Sequence, residues 1–154
     1  CSSHVVHAAV GRRGASGEAE LTVARDMEQL SYVTTSHAHE QRVAREARGA
    51  ERVRVPLTSL AEILRRTGAG EKTIDFAVID VEGGEVDALD GLELERSRPR
   101  VLIVEENPQA PGRESLADFM KKQPYKCVGT LWVNRVYVHE RETAILKRAQ
   151  TVQF

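Results

Sequence analysis

Short apolar blocks alternate along the chain with polar segments punctuated by glycine. The first block, Val5-Val6-His7-Ala8-Ala9-Val10, predicts a strand. Gly11-Arg12-Arg13-Gly14 and Ser16-Gly17 are turn signals, and Glu18 to Val23 then alternates polar with apolar, as a half-buried strand does. Residues 25–49 are polar and poorly periodic, an irregular excursion with a short helix expected over Gln41–Arg48. Val53 and Val55 alternate with Arg52 and Arg54, predicting a strand that ends at Pro56. Ser59-Leu60-Ala61-Glu62 has capping-box spacing, with Leu60, Ile63 and Leu64 at helical intervals and Gly68 as the stop.

The later half has a different rhythm. Ile74 to Ile79 is a nearly continuous apolar block, the pattern of a strand covered on both faces. A short helix over Glu85–Leu89 follows and stops near Gly91, and Arg100–Glu105 predicts a second buried strand. A helix over Ser115–Lys122 precedes two strands, Lys126–Trp132 and Arg135–His139, joined through Val133-Asn134. Strands alternating with helices imply right-handed crossovers. The expected class is therefore α/β, a mostly parallel sheet covered by helices and closed by an antiparallel C-terminal hairpin.

Composition narrows the picture. The 154 residues suit a single domain over 1–154. A net charge of −1 argues against a nucleic-acid binder held by phosphate contacts. No apolar run approaches the ~20 residues of a bilayer span, and two cysteines cannot build a disulfide framework. The expected compartment is the cytoplasm. The chain opens on Cys1, and a strand-like run starts by His4, which leaves no tether for a lipid anchor. A boundary within a longer protein is the expected reading.

In open α/β sheets ligands bind beyond the carboxyl ends of the parallel strands. Asp80-Val81-Glu82-Gly83-Gly84-Glu85 follows one buried strand and Glu105-Glu106-Asn107-Pro108 the other. Carboxylates from both would line one crevice, able to hold a cation, accept protons or bind sugar hydroxyls. Glu85 falls in a first helical turn and reads as a partner of the helix dipole. Asp80, at the tip of a buried strand, reads as functional. Gly68 to Thr73 superficially resembles a phosphate loop, but Glu71 separates Gly70 from Lys72 and the order is helix then strand. His37-Ala38-His39-Glu40 and the Arg52, Arg54, Arg65, Arg66 group read as solvated polar surface, and Cys127 as a packing residue.

The run Ile74 to Val86 followed by Leu89-Asp90-Gly91-Leu92 resembles the signature of FkbM-type methyltransferases. Val55 to Leu60, Arg98 to Glu105 and His7 to Gly11 fit the same pattern, so the likeness spans roughly Val5 to His139. It implies a Rossmann-like fold and S-adenosylmethionine-dependent methylation of a hydroxyl on a small molecule or sugar. It further implies Asp80 beside the reacting centre, as base, cofactor contact or cation ligand, with Glu82 second and Glu106 orienting the acceptor. His7, with Ala8, would stand near the adenine side. A divalent cation such as Mg²⁺ suits such carboxylates. The family's glycine-rich acidic cofactor loop has no counterpart in these 154 residues. The first strands are thus expected to be lacking, from the space between Val5–Val10 and Ile74–Ile79. Two alternatives stand beside this one. The first is a catalytically inactive truncated module that associates, with itself included, through an exposed sheet edge. The second is an acidic cation-binding domain without transfer chemistry.

Overall fold

A computed structural model of the chain describes residues 3–24, 32–33, 50–106 and 113–151. The helix expected over Gln41–Arg48, the His37–Glu40 group and Asn107-Pro108 lie outside these residues. Among the described residues the elements are β1 (Ala9–Gly11), β2 (Ser16–Ala24), β3 (Tyr32–Val33), β4 (Ala50–Ser59), α1 (Leu60–Arg66), β5 (Phe76–Ile79), α2 (Glu85–Leu92), α3 (Leu94–Ser97), β6 (Val101–Glu105), α4 (Leu116–Met120), β7 (Tyr125–Leu131), β8 (Asn134–His139) and α5 (Thr143–Ala149).

The described strands form two four-stranded sheets, ordered β1-β4-β2-β3 and β5-β6-β8-β7. The α/β class and the antiparallel closing hairpin hold, but the mostly parallel sheet does not: both sheets are mixed. Among the described residues only β1–β4 and β5–β6 run parallel. The cause lies in two hairpin-like pairings. β2 lies antiparallel along the whole of β4, from Ser16↔Thr58 to Ala24↔Ala50, and β8 inserts antiparallel beside β6. The strand expected to stop at Pro56 runs on to Ser59. Pro56 is tolerated because β1 joins β4 only from Leu57 onward, so no ladder donor is required on that side.

The first strand shrinks to Ala9–Gly11, leaving Val5 and Val6 exposed without a partner strand among the described residues. The predicted caps form as their chemistry dictates. The Ser59 hydroxyl accepts from Glu62 N at the start of α1, and the Ser115 hydroxyl accepts from Asp118 N at the start of α4. α5 follows the hairpin and has no counterpart in the expected elements.

The core lies between the second sheet and its helices. Ile79, Leu102, Val104 and Tyr137 share one sheet face and pack with Leu89, Leu92 and Met120. Each such buried side chain contributes roughly 1.5–3 kcal/mol. The opposite face carries Phe76 and Val78 in register with Val101 and Ile103. Phe76 is 65% exposed and Val78 55%, so β5 is covered on one face rather than two. β5 is also an edge strand of its sheet. Cys127 is exposed beside an irregularity in β7 rather than packed.

The base of the sheet is pinned by polar contacts. Tyr125 Oη donates to Pro99 O at 2.7 Å, and Arg100 reaches Asp75 and Glu142. His139 is buried against Tyr125, ring centroids 4.9 Å apart, and its Nδ1 accepts from Arg141 N. Burial first, then the charges of Arg141 and Arg98, hold its pKa below the ordinary histidine value. The unfolded chain therefore takes up the proton first. Stability is complete above pH ~6.5 and declines as pH falls through that value toward the lower folded-state pKa. Melting curves between pH 8 and 5 should show this slope, and His139→Leu should flatten it. An unchanged slope would remove His139 as its source.

Candidate functional site

β5 and β6 run parallel with Ile79 beside Val104, so the next residues of each strand, Asp80 and Glu105, emerge side by side. The turn after β5 then folds sharply: Glu82 has φ 52° and Gly83 φ 98°. The left-handed region suits glycine at 83 but costs a side-chain-bearing residue about 1–3 kcal/mol at 82. This reversal brings Glu82 back over the strand ends. Carboxylate oxygens of Asp80, Glu82 and Glu105 all lie within 4.8 Å of one another. Asp80 is exposed, and the other two are half-buried.

Glu85 holds the turn in place. It is fully buried, and its Oε1 accepts from Gly83 N at 2.8 Å and from Val81 N at 3.4 Å. The residue expected as a partner of the helix dipole stands in the first turn of α2 and is also an internal brace between α2 and the loop. Replacing Glu85 by Ala strands the loop amides it accepts from. A loss of about 1–3 kcal/mol is expected in chemical denaturation; an unaltered midpoint would show that the loop stands without the brace.

The other expected site residues lie elsewhere. Glu106 Oε2 accepts from Arg135 Nε at 2.7 Å, and Glu106 N donates to Val133 O at 2.8 Å, which fastens the acidic strand end to the β7–β8 hairpin. The pairing also raises the Arg135 pKa. His7 is exposed and Ala8 half-buried, both just ahead of β1 in the other sheet. Thus Asp80 and Glu82 come together as a pair, Glu105 joins them in place of Glu106, and neither His7 nor Ala8 belongs to that cluster. Equal spacing in the two buried strands, Ile79-Asp80 and Val104-Glu105, is the signal that points to Glu105.

A concavity lies apart from these carboxylates. It is a groove of about 840 Å³ lined by Ser16, Thr58, Ser59, Arg65, Glu71 and Arg96 among others. Its arginines are matched internally, Arg65 by Glu62 and Arg96 by Glu93.

A carboxylate triad at the carboxyl ends of two parallel strands attracts positively charged ligands and accepts hydrogen bonds from hydroxyl and ammonium groups. The profile of the methyltransferase FkbM domain matches residues 3–127. The chain belongs to the FkbM methyltransferase family. No curated protein and no solved structure matches it significantly. The FkbM match contains Asp80, Glu82 and Glu105 with the whole of β5, α2 and β6, and ends inside β7. Among the described residues no helix is long and apolar enough to cross a membrane.

Proposed function

We propose that this chain, acting as one domain in the cytoplasm, serves S-adenosylmethionine-dependent methylation of a hydroxyl on a small molecule or sugar. The single observation that carries the reading is the convergence of Asp80, Glu82 and Glu105 at the ends of β5 and β6 in a member of a methyltransferase family. The donor set fits the cofactor: carboxylates accept from ribose hydroxyls and an α-ammonium, and their charge complements a sulfonium. When bound, that cofactor supplies an electrophilic methyl group.

The protein's part is to hold the acceptor oxygen in line and to take its proton. Asp80, exposed at the strand tip, is the base and the contact to the cofactor. Glu82 and Glu105 orient the hydroxyl and balance the positive charge. Glu106 fixes the acceptor wall through Arg135, and His7 and Ala8 stand toward the adenine. A divalent cation is the further ligand this triad suits. Thermal melts with and without Mg²⁺ test that part, a raised midpoint being the expected sign.

Titration calorimetry with S-adenosylhomocysteine on the complete gene product tests the reading. Saturable binding is expected, and its absence would sink the assignment. A second reading, association through the β5 edge, is favoured by the exposed Phe76 and Val78 on an edge strand. Light scattering after size exclusion separates them, since a clean monomer counts against association.

A further inference from the structure

We infer that Trp132 is the acceptor-binding platform of this site, its indole face taking the C–H face of a pyranose ring whose hydroxyls reach toward the Asp80–Glu82–Glu105 carboxylates. The inference rests on the methyltransferase reading above and deepens it by naming a residue and an acceptor class.

Leu131 pairs with Asn134, so Trp132 and Val133 form a two-residue hairpin loop. Trp132 has φ 58°, and Val133 is not among the residues of positive φ, the pattern of a type II′ turn. Glycine is the default residue at that first loop position. A tryptophan there costs about 1–3 kcal/mol of backbone strain. It also sits 98% exposed, between Leu131 at 43% and Val133 at 57%. Neither packing nor turn chemistry accounts for the largest apolar side chain in this slot.

The loop lies at the same end of the sheet as the carboxylates. Asn134 is the register partner of Glu105, which puts the Trp132 backbone about 10 Å from that of Glu105 by strand spacing. The mount is rigid: Glu106 N donates to Val133 O, and Arg135 binds both Glu106 and Thr130. An aromatic face is electronegative and attracts the partly positive C–H bonds of a sugar ring, while carboxylates accept from its hydroxyls. Three exposed side chains, Leu131, Trp132 and Val133, fall short of the ~800 Å² per partner of a stable protein interface. The neighbouring carboxylates oppose an anionic lipid surface.

Trp132 is the only tryptophan of the chain, so its emission reports the site directly. The 154-residue protein is titrated with the methyl glycosides of glucose, galactose, mannose and fucose, with cyclohexanol, choline chloride and phosphatidylcholine vesicles as comparisons. A saturable emission change with at least one glycoside is expected, weakened about tenfold in Asp80→Asn. Calorimetry with the same glycoside should show binding lost in Trp132→Gly and partly restored in Trp132→Tyr, while Trp132→Gly melts higher than the parent because glycine suits the turn. Silence with every glycoside, or a response only to cyclohexanol, choline or vesicles, overturns the inference. Parallel calorimetry of the complete gene product with S-adenosylhomocysteine separates the two levels. Cofactor binding without a glycoside response sinks the role of Trp132 alone. A glycoside response without cofactor binding sinks the methyltransferase reading and leaves the platform standing.

Discussion

Gly91→Ala is expected to unfold the protein or to cost it about 3 kcal/mol or more in chemical denaturation. A Cβ built at Gly91 would stand 2.0 Å from Gly11 O and 3.2 Å from Gly11 C. The obstacle is backbone at the end of β1, not the tip of a flexible side chain, so α2 or the strand must move bodily. Helix propensity runs the other way, since alanine is favoured over glycine within a helix by about 1 kcal/mol. The clash outweighs it. Gly84→Ala provides the contrast: its Cβ would meet only the Val81 side chain at 3.5 Å, ordinary contact distance, and Val81 O at 3.7 Å. A Gly91→Ala protein as stable as the parent would mean that β1 does not seat on α2. The sheet that His7 and Ala8 lead into would then lose its main link to the site.

Asp80→Asn should abolish most methyl transfer while leaving the fold intact. A positioned general base contributes roughly 10²–10⁴-fold, and that part of the loss should fall on kcat, beside the roughly tenfold weaker acceptor binding. The carboxamide keeps the shape of the side chain but cannot take up the acceptor's proton. Asp80 is exposed, so the melting midpoint should move little. Glu106→Gln should cost less in rate and more in stability, because its carboxylate is engaged with Arg135. Transfer of label from S-adenosylmethionine, followed in the complete gene product, measures both. An Asp80→Asn enzyme of parental activity would remove the base from the site.

What was legible in the chain divides along physical lines. Caps and apolar blocks are local, and the helix starts at Ser59 and Ser115 and the strands at Phe76–Ile79 and Val101–Glu105 follow from them. Sheet membership is not local. Nothing in the alternation of Glu18 to Val23 tells whether it pairs with a strand before or after it, and its long antiparallel partnership with β4 is what makes that sheet mixed. Apolar content likewise marks a strand without marking an edge, which is why Phe76 and Val78 were expected inside and lie outside. The site was half visible. Asp80 stands where a strand-end argument puts it. Glu105 rather than Glu106 joins it, because the pleat alternates side-chain direction and only the inter-strand register decides between adjacent residues. The role of Glu85 was hidden for a different reason: burial of a charge is set by the turn that closes over it, at Glu82 and Gly83, not by its own position in a helix.

Backbone amide resonances recorded during titration with S-adenosylhomocysteine locate the ligand residue by residue. The carboxylate site predicts saturable shifts concentrated at Asp80 to Gly84 and at Glu105 and Glu106. Shifts confined instead to Ser16, Thr58, Ser59 and Arg65 around the groove would place the cofactor elsewhere and contradict the assignment.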